Sequence, residues 1–429
     1  MRSFLRGELL RYYRRNFSWT SVNEARRRAS HADVDVFCQT LPENERNILD
    51  QYSSLRRRIS TPSSLYCVEQ TVADRVANLV LNDGTANPVL EVRPGPGLIT
   101  RAMLRQGIPA IRLFQDSALF GASSIKRDFP DAAIDSIMDD LLLLSKRDYA
   151  DFQDPTEHRV ARLLDGLQPA ENGWRGDPAL KIVGTLCSRK DMAFLRYMTS
   201  SCLSRRTLFQ FGRVRSVFIV PSSIYEHVTA RPTSGFILYK SSNILLQLLF
   251  DVKLLDTVPR SAFFPWPLAK NVARKRRSNF NEDHMYIVSI EAKRDIPGVP
   301  ETQMRELAFF IFHHLTSRSR TVIPALEQWI PGCGVKLIEQ GHGIFTRFGD
   351  LEPDKLKDLF LIFASHPEYE SCAFKEALNL AQDAIDFPFS LADVSEKKPG
   401  VVPDLDADHD ESDEHHISVQ PRHRLADEA

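Results

Sequence analysis

The run VLEVRPGPGLIT, residues 89–100, reads as a short buried strand, a glycine-bearing turn and the start of a helix. Gly95 and Gly97 let the backbone turn sharply and let a ligand come close where a Cβ would otherwise stand. The helix that follows offers the free N–H groups of its first turn to the same place. The spacing is GxG without a third glycine, so the dinucleotide fingerprint is incomplete. Glu91 ends the strand ahead of the turn. A carboxylate there suits a cofactor that carries a sulfonium and an amino group, so Glu91, Gly95 and Gly97 point to an S-adenosylmethionine site rather than a nicotinamide one. A tight strand-to-helix turn in any α/β protein would use the same glycines.

A second set of residues has the chemistry to hold phosphates. Residues 189–277 carry sixteen Lys and Arg against Asp191, Glu226, Asp251 and Asp256, net +12. Arg189, Lys190, Arg196, Arg205, Arg206, Arg213 and Arg215 are interleaved with Phe194, Tyr197, Phe209 and Phe211. Lys270, Arg274, Lys275, Arg276 and Arg277 follow Phe263, Phe264 and Trp266. Cations neutralise phosphates and aromatic faces stack unpaired bases, which together hold a single strand without reading its sequence. The competing uses are core packing for each ring and a solvated loop for the charges. Histidines offer less. His313 and His314 are adjacent on a helical stripe, His409, His415 and His416 lie in an acidic stretch, and no metal-ligand spacing is present.

An alternation of helical and strand patterns from Leu65 onward must position these groups, the mark of an α/β domain. Val72, Val76, Leu79 and Val80 form one helix face, and Asn82-Asp83-Gly84 breaks it ahead of the strand at 88–92. A helix over 100–106, strands over 110–114 and ending near 138, and a strand over 181–184 follow, then another over 214–220. Residues 242–250 fit helix or strand equally well. The proline-rich 259–267 and the basic run after it read as a linker or exposed loop. Beyond Pro300 the period turns helical, with stripes at Met304-Leu307-Ala308-Ile311-Leu315, Val322-Ala325-Leu326-Trp329, Leu356-Leu359-Phe360-Phe363 and Phe374-Ala377-Leu378-Ala381.

The whole chain has 429 residues, 43% apolar and 26% charged, with a formal net charge of −1. That is long enough for two or three domains with ordinary cores. No apolar run reaches the roughly 18 to 20 residues of a bilayer span, because the best candidate, 236–250, is interrupted by Lys240, so no membrane partner is expected. The cysteines are scattered without a CxxC pair, which signals neither a zinc module nor a disulfide framework. Near-neutrality conceals segregation. Residues 1–30 carry eight arginines against Glu8 and Glu24, net +6, and set Phe4, Leu5, Leu9, Tyr12 and Tyr13 among them, the pattern of a mitochondrial presequence. Residues 391–429 carry eleven acids against four bases, net −7, with too few apolar side chains to fold, and read as a disordered acidic tail.

The segment EVRPGPGLITRAMLRQG, with LYCVEQTVADRVAN ahead of it, resembles the rRNA adenine N6-dimethyltransferase family. FQFGRVRSVFIVPSSIYEHVTARP, VPRSAFFPWP and MRELAFFIFHHLTSRSRTVIPALEQWIPG resemble its mitochondrial transcription factor B branch, and the resemblance covers about 65–386. It implies a Rossmann-like S-adenosylmethionine-dependent methyltransferase fold of the α/β class with a small C-terminal helical domain. The expected division is a presequence at 1–30, the methyltransferase-like domain at 31–265, a basic linker or loop at 266–300, the helical domain at 301–390 and the tail at 391–429.

In active relatives a Glu ends the second strand and holds the ribose; that place reads Phe114 here, with Asp116 as a substitute two residues on. The acid that reads the cofactor's adenine falls on Asp139 or Asp140. The Asn-Leu-Pro-aromatic tetrad that orients the target base is replaced by Gly184-Thr185-Leu186-Cys187, which lacks the acceptor side chain and the stacking ring, so efficient dimethylation is not expected; the cofactor the resemblance implies is S-adenosylmethionine, vestigial if methyl transfer is lost. The resemblance therefore implies a matrix protein of the mitochondrial nucleoid: a transcription initiation factor that binds mitochondrial RNA polymerase and melted promoter DNA. Arg189 to Arg215 would sit where a methyltransferase meets its RNA. The alternatives are a dimethyltransferase of two adjacent adenines in mitochondrial small-subunit rRNA, and a ribosome assembly factor.

Overall fold

The computed structural model describes residues 34–380, apart from 58, 60–61, 83, 85–86, 118, 145–158, 189–190, 236 and 267–282. The presequence, the acidic tail, Arg189, Lys190, Lys270, Arg274, Lys275, Arg276 and Arg277 lie outside the described residues.

Among the described residues, short β-rich runs separated by turns build nine strands, β1 (Tyr66–Cys67), β2 (Val89–Val92), β3 (Ala110–Phe114), β4 (Ala133–Ile137), β5 (Leu180–Thr185), β6 (Val214–Pro221), β7 (Phe250–Pro259), β8 (Phe263–Phe264) and β9 (His284–Ala292). Seven form one sheet in the order β4-β3-β2-β5-β6-β9-β7. Strands β4, β3, β2, β5 and β6 run parallel, and β9 enters antiparallel to both β6 and β7. With helices in the crossovers, this is the Rossmann-like methyltransferase sheet, and it turns its strand order between β2 and β5.

The two-residue period of the strands divides their side chains between two faces. Leu90, Ile182, Phe218, Val220 and Val288 point to one, under the helices Asp191–Ser204 and Ser241–Leu249. Val89, Ile111, Leu113, Val183, Val217 and Ile287 point to the other, under the helices Gln70–Leu81 and Leu98–Arg105. The helices Met304–Leu315, Val322–Glu327, Cys333–Glu339, Pro353–Ala364 and Ala373–Leu380 follow the sheet. Their apolar stripes close on Phe310 and share one continuous core with the first sheet face through Ser241–Leu249.

Three sequence expectations change. Residues 242–250 resolve into helix Ser241–Leu249 running directly into β7. The part of the expected linker at 284–292 is β9, whose Met285 to Ile290 are buried between two neighbouring strands. Residues 259–267 read as exposed from their prolines, yet Phe263 and Phe264 are fully buried and pair β8 with β1. An aromatic pair flanked by prolines satisfies both a loop pattern and a short buried strand, and only the partner strand decides. The β1–β8 ribbon lies beside a small N-terminal layer in which Val34, Cys38, Leu41, Leu49 and Leu55 pack with Tyr66, Phe120 and Phe264.

Candidate functional site

The carboxyl ends of β2, β3, β4 and β5 meet at the switch in strand order, where open α/β sheets hold their ligands. Gly95 and Gly97 make the turn after β2 with φ of 58° and 83°. Each is crowded as well as left-handed: a Cβ at Gly95 would lie 2.3 Å from the Tyr66 ring, and one at Gly97 2.5 Å from Ile125. The turn therefore already packs against the chain's own side chains.

Glu91 is buried on the face of helix Leu98–Arg105 and accepts a hydrogen bond from Thr100 Oγ1 at 2.6 Å. Burial pushes its carboxyl up to about 7, with the Thr100 bond opposing.

Arg93, at the head of the same turn, has φ of 55°, a left-handed backbone that non-glycine residues seldom adopt. Its buried guanidinium reaches three carboxylates from three elements. Nη2 lies 2.8 Å from Asp140 Oδ2 and 3.1 Å from Asp191 Oδ1, and Nε lies 3.8 Å from Asp116 Oδ2. Nη1 donates to the Ser63 carbonyl at 3.1 Å. Burial disfavours the charged guanidinium, but Asp191 and Asp140 outweigh it and hold the pKa above its ordinary value.

These acids, and Asp139 beside Asp140, accept further hydrogen bonds from the chain. Asp140 Oδ1 accepts from Leu142 N at 3.0 Å, and Asp139 Oδ1 accepts from Asp140 N at 2.9 Å. Asp116 accepts from the Ser64 hydroxyl and from Tyr66 OH, the latter at 3.0 Å. Asp191 Oδ2 accepts from the backbone N–H of Cys187 and Ser188 at 2.8 and 2.9 Å, clamping the loop after β5. In that loop Leu186 is fully buried and Cys187 Sγ donates to the Ser63 carbonyl at 2.9 Å. Residues 62–66 are thus a strap tied to Asp116 on one side of the crevice and to Cys187 on the other.

Residues 180–365 match the family model for ribosomal RNA adenine dimethylase. The chain is similar to the mitochondrial dimethyladenosine transferase 2 of Drosophila melanogaster, 25% identical over 375 residues that span 76% of this chain and 81% of that protein. Against the Homo sapiens mitochondrial dimethyladenosine transferase 2 the identity is 23% over 323 residues, 72% of this chain and 79% of that one. The crystal structure of the 23S rRNA methyltransferase ErmE aligns with a TM-score of 0.46 at 14% identity, over 70% of this chain and 100% of that chain.

The Rossmann-like methyltransferase fold, with the match of residues 180–365 to the dimethylase model, implies S-adenosylmethionine binding. The residues present do not fit it. Of the residues expected from sequence to hold it, Glu91, Gly95, Gly97, Asp116, Asp139 and Asp140 do converge on the crevice, but Asp116 and Asp140 are paired with Arg93 and Gly95 is covered by Tyr66. Sequence reasoning missed Arg93, Asp191 and the strap. The available signal was an arginine inside a glycine-bearing turn, and an acid just past the substituted tetrad.

Among the described residues, the basic side chains of 189–277 do not form one face. Helix Asp191–Ser204 has 14 residues and carries the chain about 21 Å from the crevice to the opposite end of the sheet. Arg205, Arg206, Arg213 and Arg215 therefore lie at the amino end of β6, away from where a methyltransferase meets its RNA. Arg213 is buried and donates to Glu291 Oε1 at 2.9 Å, to the Ala292 carbonyl at 2.9 Å and to the Gly176 carbonyl at 2.7 Å. It staples β6 to β9 and has no face to offer a phosphate, a correction to its expected role. Arg215 is half-buried, with Nη2 3.4 Å from the Leu79 carbonyl. Arg205 and Arg206 are exposed, Arg205 lying over the Trp174 ring at 4.6 Å and pairing with Glu301 at 2.9 Å. Phe194, Tyr197, Phe209 and Phe211 are core residues, not stacking platforms. Among the described residues no helix is long and apolar enough to cross a membrane.

Proposed function

We propose that this chain is a mitochondrial transcription initiation factor that binds mitochondrial RNA polymerase and stabilises melted promoter DNA on a dimethylase scaffold that no longer methylates. The observation that carries this reading is the crevice: its acids are committed to Arg93, and the loop after β5 is closed by Asp191 and the strap. Adenine methylation needs a base held at that loop by an acceptor side chain and a stacking ring, and Leu186 and Cys187 supply neither. The mitochondrial names of the similar proteins support the compartment. The arginine-rich first thirty residues support import, and the segments resembling the transcription factor B branch support the polymerase partner.

Such a factor needs differential affinity and no bond chemistry. Separating promoter strands costs about 1.4 kcal/mol per base-pair step of stacking, and contacts made only with unpaired strands offset that cost. Exposed Arg205 and Arg206, together with Arg189, Lys190 and the run Lys270 to Arg277, are the cations proposed for those contacts. Reconstituted run-off transcription with and without the protein tests the reading. The expected result is strong dependence on duplex promoters and weak dependence on pre-melted ones, whereas equal dependence on both sinks the melting role. Turnover on an rRNA hairpin with two adjacent adenines would instead support a surviving dimethyltransferase.

A further inference from the structure

The crevice at the strand switch presents carboxyl groups from four places: Glu91 at the end of β2, Asp116 after β3, Asp140 after β4 and Asp191 after β5. Three carboxylates drawn together out of water repel one another and lose hydration, so such a cluster persists only with a cation at its centre. A nucleoside cofactor with a cationic methionine arm would supply that charge from outside. In this chain it comes from inside. Arg93 leaves the turn after β2 and places one planar fork against Asp140, Asp191 and Asp116 at 2.8, 3.1 and 3.8 Å. The left-handed backbone at Arg93 is a cost that the three ion pairs offset.

We propose that Arg93 is a built-in occupant of the cofactor crevice. Its guanidinium holds Asp116 and Asp140, the carboxylates expected to engage a ribose and an adenine, together with Asp191, and it fastens the strap at 62–66 over them through the Ser63 carbonyl. The crevice then serves as a structural joint between the strap and the sheet and takes no S-adenosylmethionine. This inference rests on the reading of the crevice as a degenerate cofactor site, not on the polymerase role. It is tested without polymerase or DNA, so either can fail alone.

The probe is S-adenosylhomocysteine, titrated by calorimetry into the full chain. Wild type should give no binding heat and no rise in Tm at millimolar ligand, and R93G should bind at least tenfold more tightly than wild type. Glycine suits the left-handed backbone, but the change leaves buried carboxylates unpaired, so R93G/D191N is the second variant, with one buried charge fewer. Micromolar binding by wild type overturns the proposal, and so does a folded variant that remains blank. Wild type also carries a readout of its own: the Arg93 Nε–H resonance should be protected from exchange and unmoved by ligand. A ligand-induced shift or rapid exchange overturns the proposal even if neither variant folds.

Discussion

Glu91 in β2 and Arg93 in the turn that follows stand two residues apart and solve burial in opposite ways. Arg93 keeps its charge because Asp191 and Asp140 surround it, whereas Glu91 has one hydroxyl for company and is raised to about 7 from 4.5. A carboxyl whose folded pKa is raised keeps its proton after the unfolded chain has lost it, so its contribution to stability declines as pH rises from 4.5 to about 7. E91Q should remove that decline, worth up to about 3 kcal/mol, and comparing urea midpoints at the two ends of the window checks it. His314 has the reverse sign. It is buried, stacked on Phe348 at 4.4 Å, and neither ring nitrogen has a hydrogen-bond partner among the described residues. Burial, with His313 and Arg320 nearby, lowers its pKa well below 6.5, so stability is lost as pH falls through 6.5 and the unfolded chain alone takes a proton. H314F keeps the stacked ring and should flatten the acid limb of a Tm-against-pH curve; an unchanged limb refutes the assignment.

At the scale of elements, the glycine turn and the strand pair β6–β9 carry the decisive contacts. Gly95 combines a left-handed φ with the Tyr66 ring against its missing Cβ. G95A should cost about 2 to 4 kcal/mol in chemical denaturation, from backbone strain plus overpacking. G107A, at a left-handed glycine with nothing within 4 Å of the added Cβ, should cost only the backbone part, about 1 kcal/mol. Arg213 binds Glu291 and the Ala292 carbonyl of β9, and the Gly176 carbonyl in the loop ahead of β5. R213M should lower stability by about 3 kcal/mol because it leaves those acceptors without their donor. Strands β2, β5 and β6 were readable as apolar runs between turn residues. Strand β9 was not, because its neighbourhood is defined by the basic run before it and by pairing with β6 and β7 across a large sequence separation.

For the whole molecule, net charge is the wrong summary and so is the charge of a sequence segment. Among the described residues, the cations of the +12 stretch are divided between the two ends of the sheet, and Arg213 is inside it. R206E should leave Tm unchanged while reducing the salt dependence of single-stranded DNA binding, by about one unit of slope for each phosphate no longer neutralised. R213M should lower Tm and leave that slope alone. The pair separates a binding cation from a structural one, and reversed outcomes would return Arg213 to the nucleic-acid face.

The amino-acid sequence alone determined the α/β class, the glycine turn, the helical stripes after Pro300 and the substitutions at Phe114 and Gly184 to Cys187, because these depend on local spacing and residue type. Tertiary structure alone decided that Arg93 meets Asp191, 98 positions away, and that Arg213 meets Glu291, 78 positions away. A charged side chain reads as exposed until a partner is brought to it, and the partner arrives only through sheet order. The same arginine type is solvent-facing at Arg206, a strand staple at Arg213 and the centre of the cofactor crevice at Arg93, according to which strand ends surround it.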